Sequence, residues 1–148
     1  MKSGYKIHDV MNRKVLTADY NSNICDISKI MKKNRVGSVV LMKGEIPAGI
    51  ITEQDVVRKV VSEEKNPKKT LAGSLAEKEL ISIESLRDLS DAVTLMGCSE
   101  IKHLPVIDGG KLQGIITAKD VIKLEPHLME MISFKSSIGE RRSKKLFK

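Results

Sequence analysis

The chain has 148 residues, of which 41% are hydrophobic and 30% are charged, and its formal net charge is +7. These values predict a globular protein with its own core and exclude a disordered chain. No apolar run approaches the ~18 residues of a membrane span, and the N-terminal residues lack a signal-peptide core, so we expect a cytoplasmic protein. The two cysteines suit neither a disulfide framework nor a metal site. An aromatic content of 3% disfavours a nucleic-acid surface built on base stacking.

The sequence contains two copies of one unit. The segment GIITEQDVV at 49–57 recurs as GIITAKDVI at 114–122, and the same offset of 65 aligns residues 7–58 with 72–123 without a gap. Nine of these 52 positions are identical, and a constant offset over such a length is the signature of an internal repeat. We predict four segments: a first repeat at 7–61, a polar linker at 62–70, a second repeat at 71–124, and a C-terminal helix with a basic tail at 125–148.

The first repeat shows a regular order of elements. Residues 7–11 predict a short leading helix, 15–18 a strand, and 24–34 a helix with apolar residues at helical spacing. Two short apolar runs around a glycine turn then predict a strand–turn–strand hairpin. A last helix is predicted to begin at Thr52.

The second repeat predicts the matching elements. Leu71, Leu75 and Ala76 share one face of a leading helix, 80–83 forms a strand, and the last helix begins at Thr117. Strands that alternate with helices predict an α/β (α+β) fold, with a small three-stranded sheet and two helices in each repeat. Because a unit of about 50 residues closes a poor core alone, we expect the two repeats to pack about a pseudo-two-fold axis.

The positive charge is concentrated at the C-terminus. Residues 134–148 carry a net charge of +5, which leaves +2 for the rest of the chain. Such a terminal run is typical of a solvated, frayed end, and the alternative is weak attraction to nucleic acid, acidic partners or anionic lipid. Between the second repeat and this run, residues 127–132 predict a short amphipathic helix.

The motif G-I-I-T-x-x-D, present in both repeats, carries the candidate chemistry. Thr52 and Thr117 lie where a strand passes into a helix, and Asp55 and Asp120 follow one turn later. One interpretation is structural, because the threonine can cap the helix and the aspartate can complete a capping box. The other is nucleotide binding, because a helix N-terminus attracts phosphate and a carboxylate can accept both hydroxyls of a ribose. Both interpretations can hold at once.

Several segments together resemble a pair of CBS domains over residues 7–123. They are HDVMNRKVLTAD at 8–19, VGSVV at 36–40, HLPVID at 103–108 and both G-I-I-T-x-x-D ends. The resemblance implies two repeats packed through their sheets, with two clefts between them that bind adenosyl ligands such as AMP, ADP, ATP or S-adenosylmethionine. It also implies a flat homodimer formed through the helices.

The resemblance also implies roles for individual residues. Asp55 and Asp120 would bind ribose hydroxyls, and Thr52 and Thr117 would bind phosphate. The residues implied to surround the adenine are Thr17, Ile50, Ser82 and Ile115. The residues implied to reach the same clefts beside the phosphates are Gly37, Ser38, Gln54, Lys102, His103 and Lys119.

The two implied clefts differ in charge. Lys102 and Lys119 give the Asp120 cleft two cations, whereas the matching positions of the Asp55 cleft are neutral. Cations favour phosphate, so we predict tighter nucleotide binding at Asp120.

No nucleophile–base pair, metal cluster or general-acid pair is apparent in the sequence, so we expect no enzyme and no obligatory cofactor. The leading hypothesis is a stand-alone sensor of an adenosyl ligand that signals to a partner protein, or to its dimer mate, through a conformational shift. One alternative is a nucleic-acid-binding accessory protein that acts through the basic tail. Another is an interaction module whose clefts stay empty.

Overall fold

The structure, a computed structural model, describes residues 2–76 and 79–124. The helix predicted at 127–132 and the basic tail lie outside these residues. The described chain forms two compact units. The first unit holds residues 14–76, 79–81 and 109–112, and the second unit holds 2–13, 82–108 and 113–124.

The elements confirm a mixed α/β chain with small sheets. In chain order they are α1 (Ile7–Val10), β1 (Thr17–Asp19), α2 (Ile24–Asn34), β2 (Ser38–Lys43), β3 (Ile46–Thr52), α3 (Glu53–Val56), a π-helical turn (Val57–Val61), a 3-10 turn (Ala72–Ser74), α4 (Leu89–Ser99), β4 (His103–Asp108), β5 (Lys111–Thr117) and α5 (Ala118–Leu124).

The first unit contains a three-stranded sheet in the order β1-β2-β3, with β1 parallel and β3 antiparallel to β2. The helix predicted at 24–34 is confirmed as α2, which begins at Asn23, whose side chain accepts from the Asp26 N–H (2.9 Å), and ends at Arg35 in the left-handed conformation. The apolar stripe of α2 packs against the core face of β2 and β3, and the fully buried residues of this core include Ile24, Ile27, Val39, Leu41 and Ile51.

The second unit repeats this plan with α4 in the place of α2. The Asp88 side chain caps α4 by accepting from the Ser90 N–H (2.9 Å). β4 and β5 form a two-stranded sheet. The buried core of this unit includes Ile7, Leu89, Met96, Leu104, Val106, Ile116 and Val121.

The segment that leads each repeat packs in the unit formed by the other repeat. In the second unit, the Ile7 N–H donates to the Arg87 carbonyl (3.0 Å), and Ile7 is fully buried in that core. In the first unit, the Ala72 N–H donates to the Ser22 carbonyl (2.8 Å), and Ala72 is likewise fully buried. These two hydrogen bonds are related by the offset of 65, so the exchange is reciprocal.

The glycine of each G-I-I-T-x-x-D motif lies against the exchanged segment. A Cβ at Gly49 would lie 3.0 Å from the Ala76 Cβ, and a Cβ at Gly114 would lie 2.8 Å from both the Asn12 carbonyl oxygen and the Met11 Sδ. A side chain larger than hydrogen at either position would press on that neighbour. The motif therefore needs glycine because another segment of the same unit approaches its backbone closely.

The third strand predicted at 80–83 is reduced to a single parallel bridge between Ile83 and Val106. The reason is Pro105. In the first unit the Val40 N–H, at the matching position, donates to the Leu16 carbonyl (3.0 Å). Proline has no N–H to donate, so the ladder in the second unit loses this bond and the strand shortens.

Candidate functional site

A reciprocal set of hydrogen bonds joins Thr52 and Asp55 where β3 passes into α3. The Asp55 N–H donates to Thr52 Oγ1 (3.2 Å), and Asp55 Oδ2 accepts from the Thr52 N–H (2.9 Å) and from Thr52 Oγ1 (3.0 Å). This is a complete capping box, which satisfies backbone donors that the helix itself leaves unpaired.

Thr117 and Asp120 repeat the arrangement at the start of α5. The Asp120 N–H donates to Thr117 Oγ1 (3.4 Å), and Asp120 Oδ2 accepts from the Thr117 N–H (2.9 Å) and Oγ1 (2.9 Å). The structural interpretation of the motif is therefore confirmed in both copies. Since each threonine hydroxyl already gives its one proton to the aspartate, it can donate to a phosphate only after it rotates.

Four candidate residues of the first unit lie on one face of its sheet. The strand register places Thr17 and Ile50 on either side of Val40, and Ser38 opposite Thr52. Because side chains two residues apart on a strand share a face, these four residues lie on the face opposite the α2 core. Ser38 is buried, Ile50 and Thr52 are half-buried, and Thr17 is exposed.

The matching candidates of the second unit follow the same alternation. Leu104 and Ile116 point into the core of this unit, so their strand neighbours His103, Ile115 and Thr117 lie on the opposite face. All three are half-buried.

Backbone hydrogen bonds bring the residues before the middle strand to the start of the last helix. The Glu53 N–H donates to the Gly37 carbonyl (3.0 Å), and the Ala118 N–H donates to the Lys102 carbonyl (2.9 Å). Gly37 and Lys102 therefore lie beside the T-x-x-D motif of their own unit.

The remaining candidates lie on the surface. Gln54 and Lys119 are exposed in the first turns of α3 and α5, and the Lys102 side chain is exposed before β4. Ser82 is exposed and lines an open groove of about 430 Å³ that runs along α4. Its lining comprises Ser82, Ile83, Glu84, Arg87, Asp91, Thr94, Leu95 and Cys98, and includes neither Thr117 nor Asp120.

Lys59 is a site residue that the sequence analysis missed. Its Nζ lies 3.3 Å from Asp55 Oδ1, and the same ammonium donates to the Leu75 carbonyl (3.1 Å) of the exchanged segment. The spacing of four residues between an acid and a base on a helix is the signal that could have found it. The offset of 65 places Leu124 at the matching position after Asp120.

Two further properties concern the described residues alone. No helix within 2–76 or 79–124 is long and apolar enough to cross a membrane. Across the same residues, no cluster of three or more histidine, cysteine, aspartate or glutamate side chains could hold a metal ion.

Comparison with known proteins identifies the repeats. The family model described as CBS domain matches residues 7–62 and again 72–127. An uncharacterized protein of Methanopyrus kandleri is 37% identical over 128 residues, which are 85% of this chain and 65% of that protein. The chain thus spans less than two thirds of the length of this relative.

Solved structures with the same fold include two CBS proteins. A protein with CBS domains from Burkholderia ambifaria is 33% identical, with a TM-score of 0.72 over 75% of this chain and 82% of the other. A CBS domain protein from Pyrobaculum aerophilum, complexed with AMP, has a TM-score of 0.76 over 88% of this chain and 99% of its own. The second is only 20% identical, so it shows likeness of fold alone.

Proposed function

The chain belongs to the CBS domain family, and on that premise we propose that it is a regulatory module that binds an adenosyl ligand. AMP, ADP, ATP and S-adenosylmethionine are the candidate ligands. Each is a ribonucleoside derivative whose ribose hydroxyls can donate to Asp55 or Asp120. The fold neighbour from Pyrobaculum aerophilum is complexed with AMP, which supports this ligand class.

The observation that carries the proposal is that candidates distant in sequence share one sheet face beside a T-x-x-D motif in each unit. In both copies an apolar residue, Ile50 or Ile115, lies two residues before the threonine of the motif. A planar adenine can rest on such a residue while its ribose reaches the carboxylate one turn into the helix. Capping alone explains the Thr–Asp bonds, but it does not require the polar residues that accompany them on this face.

The charges favour phosphate at the second site. Lys102 and Lys119 are exposed, and the Lys102 carbonyl is hydrogen-bonded to the first residue of α5. In the first unit the corresponding residues are Gly37 and Gln54, which carry no charge. We therefore infer that a phosphorylated adenosyl ligand binds more tightly at Asp120 than at Asp55.

The proposed output is a change in how the two repeats pack when the ligand binds. A ligand shifts such an equilibrium only by its difference in affinity for the two states, and a cleft between the repeats would supply that difference. The change would be transmitted to a partner protein or to the second copy of a homodimer. Neither an obligatory cofactor nor a catalytic reaction is needed for this role.

Thermal shift with AMP, ADP, ATP, S-adenosylmethionine and GMP tests the proposal. A ligand that binds only the folded chain stabilises it by about 2.7 kcal/mol at 100 times its Kd. We expect an adenosyl ligand to raise the Tm and GMP to have a smaller effect. Calorimetric titration of Asp55→Asn and Asp120→Asn should then show the larger loss of affinity in D120N, because Asp120 belongs to the site that we infer to bind more tightly. Asparagine is used because its side-chain oxygen can retain the helix cap while the negative charge is removed. Equal losses would contradict the asymmetry.

A second candidate function is an interaction module with no small ligand. The observation that favours it is that both capping boxes are complete, so Asp55 and Asp120 already have a structural role. If none of the five ligands raises the Tm, this candidate is preferred. Nucleic-acid binding through the basic tail stays a prediction, and a salt-sensitive shift that is lost on truncation at residue 134 would test it.

A further inference from the structure

We propose that Lys59 is an internal competitor for the Asp55 site, and that the second unit lacks this competitor because Leu124 stands in its place. The inference rests on the proposed function, since the competition is with the ribose hydroxyls of an adenosyl ligand. It deepens that function by naming a residue that determines which of the two sites fills first.

The hydrogen bonds already made by Asp55 leave little capacity for a ribose. Oδ2 accepts two bonds from Thr52, through its N–H and its hydroxyl. Oδ1 faces the Lys59 ammonium at 3.3 Å. A carboxylate offers about four acceptor positions, so a ribose diol that needs two of them meets a group that is three-quarters occupied.

The competitor is itself held in place. Lys59 donates to the Leu75 carbonyl (3.1 Å) while it faces Asp55, and the two charged side chains are only 33% and 23% exposed. An isolated ion pair at a spacing of four residues contributes little. The second anchor on the exchanged segment fixes the ammonium beside Oδ1, and a hydrogen bond to a charged group is the stronger kind.

Asp120 differs from Asp55 in having no lysine four residues later. It makes the same two bonds with Thr117 through Oδ2. Leu124, at the position that matches Lys59, is 37% exposed and carries no charge. No cation of the described chain forms an ion pair with Asp120, so its Oδ1 retains its capacity to accept both hydroxyls of a ribose.

Calorimetric titration with AMP tests the competition through the direction in which one substitution changes the affinity. Lys59→Met removes the ammonium and keeps an unbranched side chain. We expect the wild-type chain to bind AMP at Asp120 first, and K59M to bind at the Asp55 site about tenfold more tightly than wild type, the factor that one charge-assisted hydrogen bond supplies. Lys59→Arg keeps the cation and should leave the wild-type affinity.

Matched variants assign the effect to the two sites. Asp55→Asn in the K59M background should abolish the strengthened site, which shows that it is the Asp55 site. Leu124→Lys should weaken binding at Asp120 by a similar factor, whereas Leu124→Met should not. Circular dichroism and the Tm of each variant establish that it is folded.

The outcomes separate this inference from the proposed function. Weaker binding in K59M would make Lys59 a phosphate ligand and overturn the competition. Unchanged binding in K59M, with AMP bound by wild type, would also overturn it while the proposed function stands. Failure of both wild type and K59M to bind AMP would contradict the proposed function for this ligand and the competition with it.

Discussion

The ring of Tyr20 lies directly against the backbone of Gly73, so that a Cβ added at Gly73 would clash with carbon atoms of the ring. The Gly73 N–H also donates to the Tyr20 carbonyl (2.9 Å). In the second unit the same hydrogen bond joins the His8 N–H to the Ser85 carbonyl (2.9 Å). In both units a large residue is thus hydrogen-bonded to a small one. The large residue is the acceptor Tyr20 in the first unit and the donor His8 in the second.

Gly73→Ala should destabilise the chain by about 2 kcal/mol, the cost of forcing an extra methyl group into a well-packed site. Urea denaturation of the wild type and of G73A measures this difference. The matched control is Tyr20→Ala, alone and combined with G73A. Because the alanine at 73 then meets no ring, the double variant should be little less stable than Y20A. If the losses in the free energy of unfolding of G73A and Y20A simply added in the double variant, this explanation would be contradicted.

The two capping boxes predict a stability effect that is independent of any ligand. Thr52→Ala and Thr117→Ala remove the side-chain oxygen that accepts from the Asp55 and Asp120 N–H groups. Each should cost about 1 kcal/mol in the free energy of unfolding, the usual value for an N-cap. The serine variants keep the hydroxyl and should lose much less. An alanine variant as stable as wild type would show that its cap contributes nothing.

The sequence predicted most of the fold because its signals are local. The apolar spacing of α2, its Asn23 cap and the glycine turns all act within a few residues, and the structure has the elements where those signals place them. The prediction of a strand at 80–83 was wrong because the loss of this strand depends on Pro105, more than twenty residues away. Proline has no N–H, so the ladder lacks one hydrogen bond.

The exchange of the leading segments could not be predicted from the repeat. The pattern shows that Ile7 belongs to an apolar face, but both cores offer an apolar surface, and the choice between them depends on the connections. Gly49 and Gly114 are a partial signal, since a glycine within a strand often marks a close approach of another backbone, but it does not identify the neighbour. Lys59 was missed for a related reason, because its second partner, the Leu75 carbonyl, belongs to the exchanged segment.

The chain should lose stability in acid through two serine-bonded carboxylates. Hydrogen bonds from Ser90 and Ser3 hold the pKa of Asp88 well below its ordinary value, and hydrogen bonds from Ser85 lower the pKa of Asp108. The unfolded chain binds these protons at about pH 4, before the folded chain does. The contribution of these two carboxylates to the free energy of unfolding is therefore complete above that pH. It is lost as the pH falls towards the lowered pKa values that Asp88 and Asp108 have in the folded chain.

Urea midpoints measured between about pH 6 and pH 2 test this pH dependence. Asp88→Asn retains an oxygen that can cap α4 but has no proton to bind, so its midpoint should fall less steeply with acid than that of wild type. Asp9→Asn is a suitable control because Asp9 is an exposed carboxylate in α1 of the same unit. Parallel curves for D88N and wild type would contradict the assignment to Asp88.

Pro105→Val should restore the missing strand of the second unit. Valine stands at the matching position, Val40, and its N–H would donate to the Ile81 carbonyl as Val40 does to Leu16. The gain of about 1 kcal/mol from one hydrogen bond is partly offset by the greater freedom of the unfolded chain. The decisive measurement is therefore hydrogen exchange, in which the amide of residue 105 should be protected, and a rapidly exchanging amide would show that the strand has not formed.

Ile7→Ala should loosen the second unit, although Ile7 leads the first repeat in sequence. Ile7 is fully buried in the core that contains Leu89 and Ile116, and removing three carbons from such a site costs about 3 kcal/mol. Hydrogen exchange followed by mass spectrometry should show faster exchange in peptides from 83–121 than in peptides from 24–60. Ile24→Ala, which is equally buried in the first unit, should give the opposite pattern. If I7A loosened 24–60 instead, the leading segment would pack with its own repeat and the exchange would be disproved.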